Sequence, residues 1–303
     1  MFTGKMFLWT ELPSAVTTEA QWDLFYARIL NLVNSNLMSF NTVILRVIDP
    51  LYSYGTSSPA WNISFDSVFY KSFMSKVPSG IKLMLYPYVL DTYNQDNWKL
   101  AMGTDSSIEG VFKFTAQWNA FMNKDMFVGI MVDGEERRGY IDQLTLVPQF
   151  KTKYNIGQFN YCTGYTQVGV LDAWKDYIDD VYLQMYDFYY DNVVPVTLVQ
   201  NSDVPMNDAN AFIDILNSKV WSRFLSWYTN PRVKFMWSMQ NISSGECLYT
   251  DDQPCGIKND FGYWSLNGFL NFLVTLEKRV PQFATNQHGV FQFSFLPNSW
   301  LTQ

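Results

Sequence analysis

Eight short apolar runs occur along the chain, and most of them are almost continuously apolar. This pattern is typical of strands that are buried on both faces of a sheet. The runs are MFLWT (6–10), TVILRVI (42–48), IKLMLYPYV (81–89), MFVGIMV (126–132), IGQFNY (156–161), VYLQMYDF (181–188), VKFMWSM (233–239) and VFQFSF (290–295).

Amphipathic stretches separate these runs and predict helices. In the first stretch, Trp22, Phe25, Ile29 and Leu32 follow helical spacing. The stretches are 17–37, 64–76, 106–124, the segment after 136, 171–180, 207–228 and 261–280. Eight strands that alternate with seven helices predict an α/β chain with a single (β/α)8 (TIM) barrel domain over residues 1–303.

The competing fold is a doubly wound parallel sheet, which usually has a glycine-rich first turn. Here ELPSA follows the first strand, and no GxGxxG is present. The eighth strand is followed by only eight residues, LPNSWLTQ, so we expect the eighth helix to be missing or vestigial. The flank between strands 6–10 and 290–295 would then expose apolar surface, which predicts self-association or a partner chain there.

Three carboxylates follow the fourth run, in VDGEE. Asp133 and Glu135 are two residues apart, a spacing that directs both side chains to one side of an extended backbone. In a barrel this strand end is where active sites are built. Two neighbouring carboxylates raise each other's pKa, which suits a general acid. A helix start with Asp133 as its N-cap is the alternative interpretation.

Polar and aromatic residues at the other strand ends favour a site that binds sugars. Sugar rings stack on aromatic faces, and their hydroxyl groups bond to Asp, Gln and Tyr side chains. The candidates are Trp9, Tyr86, Gln184, Tyr186, Asp187, Trp237, Gln240 and Phe293.

The composition and net charge of the chain argue against several classes of function. The chain is 48% hydrophobic and 18% aromatic, and its net charge of -7 argues against nucleic acid and anionic membranes as partners. No run is long enough for a membrane span, and the N-terminus does not resemble a signal peptide. His288 is the only histidine and is expected in a loop, so neither a zinc site nor a Ser-His-Asp triad is supported, and no cofactor is expected.

Two weak features hint at an extracellular or particle-associated protein. Cys247 and Cys255 lie in one polar stretch, as a loop-closing disulfide or as two thiols, whereas Cys162 is expected to be a small buried residue. Asn62 and Asn241 begin glycosylation sequons in predicted loops.

These residues resemble glycoside hydrolase family 18, the chitinases and endo-N-acetylglucosaminidases. The strand-four motif of that family, DxxDxDxE, corresponds to VGIMVDGE, in which Asp133 and Glu135 are kept while Val128 and Met131 replace the earlier aspartates. Gln184, Tyr186 and Asp187 match its strand-six motif, and GVFQFSF is similar to its last strand, with Phe293 in place of the usual Trp.

The resemblance implies hydrolysis of N-acetylglucosamine-containing glycans with retention, in which the substrate's N-acetyl carbonyl is the nucleophile. Glu135 would protonate the leaving oxygen, Asp133 would orient the acetamido N–H, and Tyr186 would bond to its oxygen. Asp187 and Gln184 would position the sugar.

Two other functions fit the same pattern. The first is an inactive glycan-binding or particle-structural protein on the same barrel. The second is a lysozyme-like barrel of another family. That family needs an Asp on strand one, where only Glu11 is near.

Overall fold

The computed structural model describes part of the chain, and the structural findings concern that part. The described residues are 4–10, 27, 29–31, 33–34, 39–47, 75–87, 108–122, 126–133, 144–164, 175–185, 209–219, 221–223, 230–241, 255–259, 262–264, 266–283 and 286–292.

The described residues form ten strands, and eight of these coincide with the apolar runs of the sequence. They are β1 (Met6–Thr10), β2 (Phe40–Val47), β3 (Lys82–Pro87), β4 (Phe127–Asp133), β5 (Gln158–Gly164), β6 (Val181–Gln184), β7 (Val233–Asn241), β8 (Cys255–Asn259), β9 (Gly262–Trp264) and β10 (His288–Gln292).

Eight parallel strands close into a barrel. β1 to β7 pair in chain order, β1 also pairs with β10, and β10 pairs with β7. The parallel register of β10 is continuous with both neighbours, with Gly289 opposite Phe7 of β1 and Met236 of β7. This closed parallel sheet with helices between its strands confirms the predicted (β/α)8 barrel. The predicted absence of an eighth helix falls on residues 293–303, outside the described residues.

Four long helices occur between the described strands. They are α1 (Ile108–Met122), α2 (Val147–Tyr154), α3 (Ala209–Lys219) and α4 (Leu266–Arg279). Each buries one side because its apolar residues repeat at helical spacing. In α4, Phe269, Phe272, Leu273 and Leu276 are buried, and Lys278 is exposed. Residues 27–34, where described, are also helical, as are residues 75 and 76.

Alternate residues of the strands fill the barrel with apolar and sulfur-containing side chains. We call this group the interior cluster, and it consists of Phe7, Trp9, Ile44, Met84, Tyr86, Met131, Cys162, Tyr182 and Met236. All nine are buried, which includes Cys162, as predicted. The strand residues between them face the helices, because successive side chains of a strand point to opposite faces.

Three sequence-based expectations are wrong in detail. Residues 262–264, expected in the helix 261–280, form β9, which pairs antiparallel with β8; β8 begins at Cys255, the last residue of the expected polar loop, and pairs antiparallel with the end of β7. His288, expected in a loop, begins β10 and is 1% exposed. Residues 175–180, expected in a helix, form turns. Cys247 lies outside the described residues, so the Cys247–Cys255 disulfide stays a prediction.

The flank formed by β1 and β10 is buried where the structure describes it. Met6 and Leu8, the residues of β1 between the interior positions, have no exposed surface. The partner chain expected on this flank therefore stays a prediction that depends on residues beyond β10. Within the described residues, no helix has the length and apolar character that a membrane crossing requires.

Candidate active site

The end of β4 lies at the carboxyl edge of the barrel. Asp133 is the last residue of this strand, and its main chain pairs with Cys162 of β5. The structure describes only the main chain of residue 133. Glu135, which follows it by two residues, lies outside the described residues. One candidate acid, Asp133, thus ends a strand at the edge where other barrels carry their active sites, and the other, Glu135, follows it in the sequence.

Two local features fix the position of β4. The Asn119 side chain of α1 donates from Nδ2 to the carbonyl oxygen of Phe127 at 3.0 Å, and its Oδ1 accepts from the Phe127 amide at 2.9 Å. Asn119 is buried, and its side chain satisfies both main-chain groups of Phe127, the first residue of β4, as a neighbouring strand would. Further along, a Cβ at Gly129 would lie 2.7 Å from Cβ of Gln158, so only glycine permits this close approach of β4 to β5.

Two predicted sugar-binding rings form an aromatic contact inside the barrel. Trp9 of β1 and Tyr86 of β3 have ring centroids 4.8 Å apart at an interplanar angle of 61°. Both follow other interior residues, Phe7 and Met84, by two positions, so they lie nearer to the carboxyl edge. Their exposures are 1% and 6%. We call this pair the aromatic floor, because it lies beneath the mouth of the barrel.

Gln184, predicted to position a sugar, is the last residue of β6. It follows Tyr182 of the interior cluster by two residues, so it shares the interior face of the strand. Its side chain is buried, with 7% exposure. The structure thus brings Gln184 to the same end of the barrel as the aromatic floor and the end of β4.

Beneath this floor, two polar side chains of the barrel interior donate to the sulfur atom of Met84. The Tyr182 hydroxyl donates to Sδ of Met84 at 3.8 Å, and Asn160 donates from Nδ2 to the same sulfur at 3.2 Å and to the Ile130 carbonyl at 3.1 Å. Burial raises the pKa of Tyr182, which stays a neutral phenol. Met131, which stands where the motif DxxDxDxE has an aspartate, is fully buried in the interior cluster.

Asn160 is a residue that the sequence analysis missed. It is the register partner of Met131 and has no exposed surface, and its Oδ1 has no hydrogen-bond partner among the described residues. Its signal was an amide between the aromatic residues Phe159 and Tyr161 of the run IGQFNY. A strand buried on both faces accepts such a polar side chain only where hydrogen bonds are available.

Trp237, another predicted sugar-binding ring, lies on the other face of β7. Its ring packs edge-on against Phe272 of α4, with centroids 5.0 Å apart, and its Nε1 donates to Nδ1 of His288 at 3.3 Å. Its neighbour Met236 occupies the interior instead. The structure therefore does not bring Trp237 to the group formed by Trp9, Tyr86 and Gln184.

The remaining predicted site residues stay predictions. Gln240 lies on β7, where its main chain pairs with Gly256 of β8, and its side chain is not described. Tyr186, Asp187 and Phe293 lie outside the described residues. Within the described residues, no group of three or more His, Cys, Asp or Glu side chains is arranged to hold a metal ion.

Comparison with known proteins supports the fold. No protein-family model matches the sequence, and no curated protein matches it. Among solved structures, a chitinase from Chromobacterium violaceum ATCC 12472 superposes with a TM-score of 0.51 at 8% identity, over 99% of this chain and 97% of that chain.

Two further chitinases give similar values. The GH18 chitinase ChiB of Flavobacterium johnsoniae has a TM-score of 0.50 at 11% identity, over 96% of this chain and 87% of that chain. The catalytic domain of a hyperthermophilic chitinase from Pyrococcus furiosus has a TM-score of 0.50 at 10% identity, over 95% and 83%. The chain therefore has a barrel fold similar to that of GH18 chitinases.

Proposed function

We propose that this chain is a glycoside hydrolase that cleaves glycans containing N-acetylglucosamine. The observation that carries the proposal is that β4 ends at Asp133, at the carboxyl edge of a closed (β/α)8 barrel, and that Glu135 follows two residues later. Enzymes with this fold build their active sites at that edge. The likeness of the barrel to chitinase barrels supports the same proposal.

The proposed reaction uses one protein acid and a nucleophile from the substrate. Glu135 gives its proton to the glycosidic oxygen, the bond from that oxygen to C1 breaks, and the N-acetyl carbonyl oxygen bonds to C1. Water then attacks C1, the bond from C1 to the acetyl oxygen breaks and restores the acetamido group, and the water gives a proton to Glu135, which restores the acid and retains the configuration. Asp133 holds the acetamido N–H and offsets the positive charge of the ring intermediate.

The other strand ends supply groups that fit a sugar substrate. Gln184 lies at the end of β6 on the interior face, and Tyr186 and Asp187 follow it in the sequence. We propose that Tyr186 bonds to the acetamido oxygen and that Asp187 and Gln184 position the sugar at the bond that breaks. The aromatic floor of Trp9 and Tyr86 is buried, with exposures of 1% and 6%, and we propose that it forms an apolar base beneath the sugar.

One observation favours a second function, a glycan-binding or particle-structural protein without activity. Met131 occupies the place of a family aspartate, and its surroundings are thioether, thiol and aromatic groups. Asp133 then has no carboxylate beneath it with which to share a proton. A site that has lost this group can keep its affinity for the glycan while its turnover falls.

The decisive experiment is turnover of a chromogenic N-acetylglucosamine oligomer by the wild type and by Glu135→Gln. The variant keeps the shape of the side chain but has no proton to give, so we expect the rate to fall by about 10²–10⁴-fold while chitooligosaccharide binding survives. Glu136→Gln is the matched control, because it removes the neighbouring charge and leaves the acid in place.

Two outcomes would change the proposal. A wild type that binds these oligomers and turns over none of them across roughly pH 4 to 8 would establish the second function instead. Cleavage of unsubstituted glucose oligomers would contradict the substrate class, because those sugars lack the N-acetyl nucleophile. A thiazoline mimic of the cyclised intermediate should inhibit the wild type.

A further inference from the structure

A second cleft, of about 400 Å3, opens at the end of the barrel opposite to Asp133. Its walls are the outer side of α2, the turn before β6 and the turn before β7, which includes Arg232. Both turns lead into the amino ends of parallel strands, and α2 leads into the amino end of β5. The cleft therefore lies at the amino edge of the barrel, apart from the candidate active site.

Three cationic side chains line this cleft in a chain whose net charge is -7. They are Lys151, Lys175 and Arg232, and the two acids of the lining are Asp176 and Asp179. The lining thus has a net charge of +1, three cations less two acids, on an acidic protein. Such a local positive charge attracts anions and raises their association rate.

Asp179 does not neutralise the whole group, because its bonds are used to build the wall. Its carboxylate accepts from Nζ of Lys151 at 2.8 Å and from the Phe159 amide at 2.6 Å, and its carbonyl oxygen accepts from Nε of Arg232 at 2.6 Å. Asp179 therefore joins α2, β5 and the start of β7, and it holds two of the cations in place.

The bond geometry leaves two cationic groups available to a ligand. Arg232 uses Nε for the wall, and no hydrogen bond from its two terminal nitrogens is found among the described residues, although its charge also interacts with the Asp180 carboxylate. Lys175 is exposed and has no ion pair within the same part of the chain. A guanidinium fork and an ammonium group that line the same cleft match the several oxygens of a phosphate.

The cleft is much larger than a phosphate ion and also carries groups that bind hydroxyls. Asp176 and Tyr177 lie beside the cations in the lining. A carboxylate repels an anion but accepts hydrogen bonds from hydroxyl groups, and a phenol both donates and accepts. We propose that this cleft binds a polyhydroxylated phosphate monoester, such as a sugar phosphate, with its phosphate on Arg232 and Lys175.

The test is isothermal titration at low ionic strength with glucose 6-phosphate as the probe, alongside inorganic phosphate and glucose. We expect saturable binding of the ester that is tighter than that of either part. Lys175→Gln should weaken it by about two- to fivefold, because the lysine is exposed. Arg232→Lys should weaken it by about tenfold, because the fork is lost while the charge is kept.

Lys278→Gln on α4 is the matched control, since it removes an equal charge from an exposed position away from the cleft. Its affinity should equal that of the wild type. Thermal unfolding of every variant separates lost binding from lost folding, and Lys175→Gln stays informative even where Arg232→Lys unfolds. Binding does not depend on glycan hydrolysis, so this test and that of the proposed function fail separately.

Three results would overturn the inference. The first is the absence of saturable ester binding to the wild type. The second is an equal loss of affinity in Lys278→Gln and Lys175→Gln, which would indicate a general charge effect. The third is binding of inorganic phosphate as tight as that of the ester, which would leave Asp176 and Tyr177 without a role.

Discussion

His288 should make the protein less stable as the pH falls below neutrality. It is the only histidine of the chain, it is 1% exposed, and its Nδ1 accepts a hydrogen bond from Trp237. Burial lowers the pKa of His288 from 6.5 to about 3. In the unfolded chain the same group takes up a proton near its ordinary pKa.

The sign and size of the effect follow from proton linkage. Above pH 6.5 both states hold a neutral imidazole, and His288 adds no pH dependence. Below it, only the unfolded state binds the proton, so stability is lost progressively as the pH falls towards 3. Because the pKa of His288 is 6.5 in the unfolded chain and about 3 in the folded one, the free energy of unfolding is about 2 kcal/mol lower at about pH 5 than at pH 7.

His288→Asn is the variant that isolates this effect. The amide oxygen of asparagine takes the place of Nδ1 and accepts from the Trp237 indole, but asparagine does not titrate. The smaller side chain lowers stability by a similar amount at every pH. We therefore expect the variant to lose most of the pH slope between pH 7 and 5, whatever its absolute stability.

The assay is urea unfolding, monitored by tryptophan fluorescence, at several pH values from 7 to 5. Other groups cancel in the comparison of wild type and variant. Burial raises the pKa of Asp180, for example, which makes stability fall as the pH rises, but Asp180 is present in both proteins. Equal pH slopes in the two proteins would refute the argument that His288 is buried in its neutral form.

Three further substitutions test how the barrel positions its site. Asn119→Ala leaves a buried amide and carbonyl of β4 unpaired and should cost about 2–4 kcal/mol in urea unfolding, whereas Gln117→Ala on the exposed side of α1 should cost little; equal costs would contradict the anchor. Gly289→Ala puts a methyl 2.3 Å from a ring of β1 and should lower the thermal midpoint, and a midpoint like that of Gly80→Ala, which has open space, would be evidence against the contact. Met131→Asp should destabilise by several kcal/mol and Met131→Leu by less than about 1.5, as measured by urea unfolding; a stable Asp variant would show that the interior accepts a charge.

The barrel was predictable because its strands are apolar along their whole length. β1 begins and ends as the run MFLWT predicted, and the other seven barrel strands differ from their runs by a few residues at the ends. The hairpin β8–β9 was missed, since CGIKN has a single large apolar residue and GYW is only three residues long. Short strands of this kind depend on a neighbour, here the end of β7, for their hydrogen bonds.

The sequence was a poorer guide to which strand residues point into the barrel. The strands are apolar on both faces, which makes them easy to find but hides their orientation. In MWSM both faces of β7 are apolar, so the sequence does not show whether Met236 or Trp237 enters the barrel. The structure assigns Met236 to the interior and Trp237 to α4. His288 was missed because its burial results from packing against β7, more than forty residues earlier in the chain.

The interior beneath β4 limits the chemistry that Asp133 is able to perform. Where two carboxylates lie close together, one of them keeps a proton and passes it to its neighbour. Here the interior cluster holds Met131, Cys162 and Tyr182, and the amide of Asn160, the register partner of Met131, already donates to Ile130 and Met84. We therefore propose that Asp133 exchanges its proton with Glu135 and with solvent. For the proposed hydrolase, we expect the pH dependence of turnover to report the carboxylates Asp133 and Glu135 of the β4 motif.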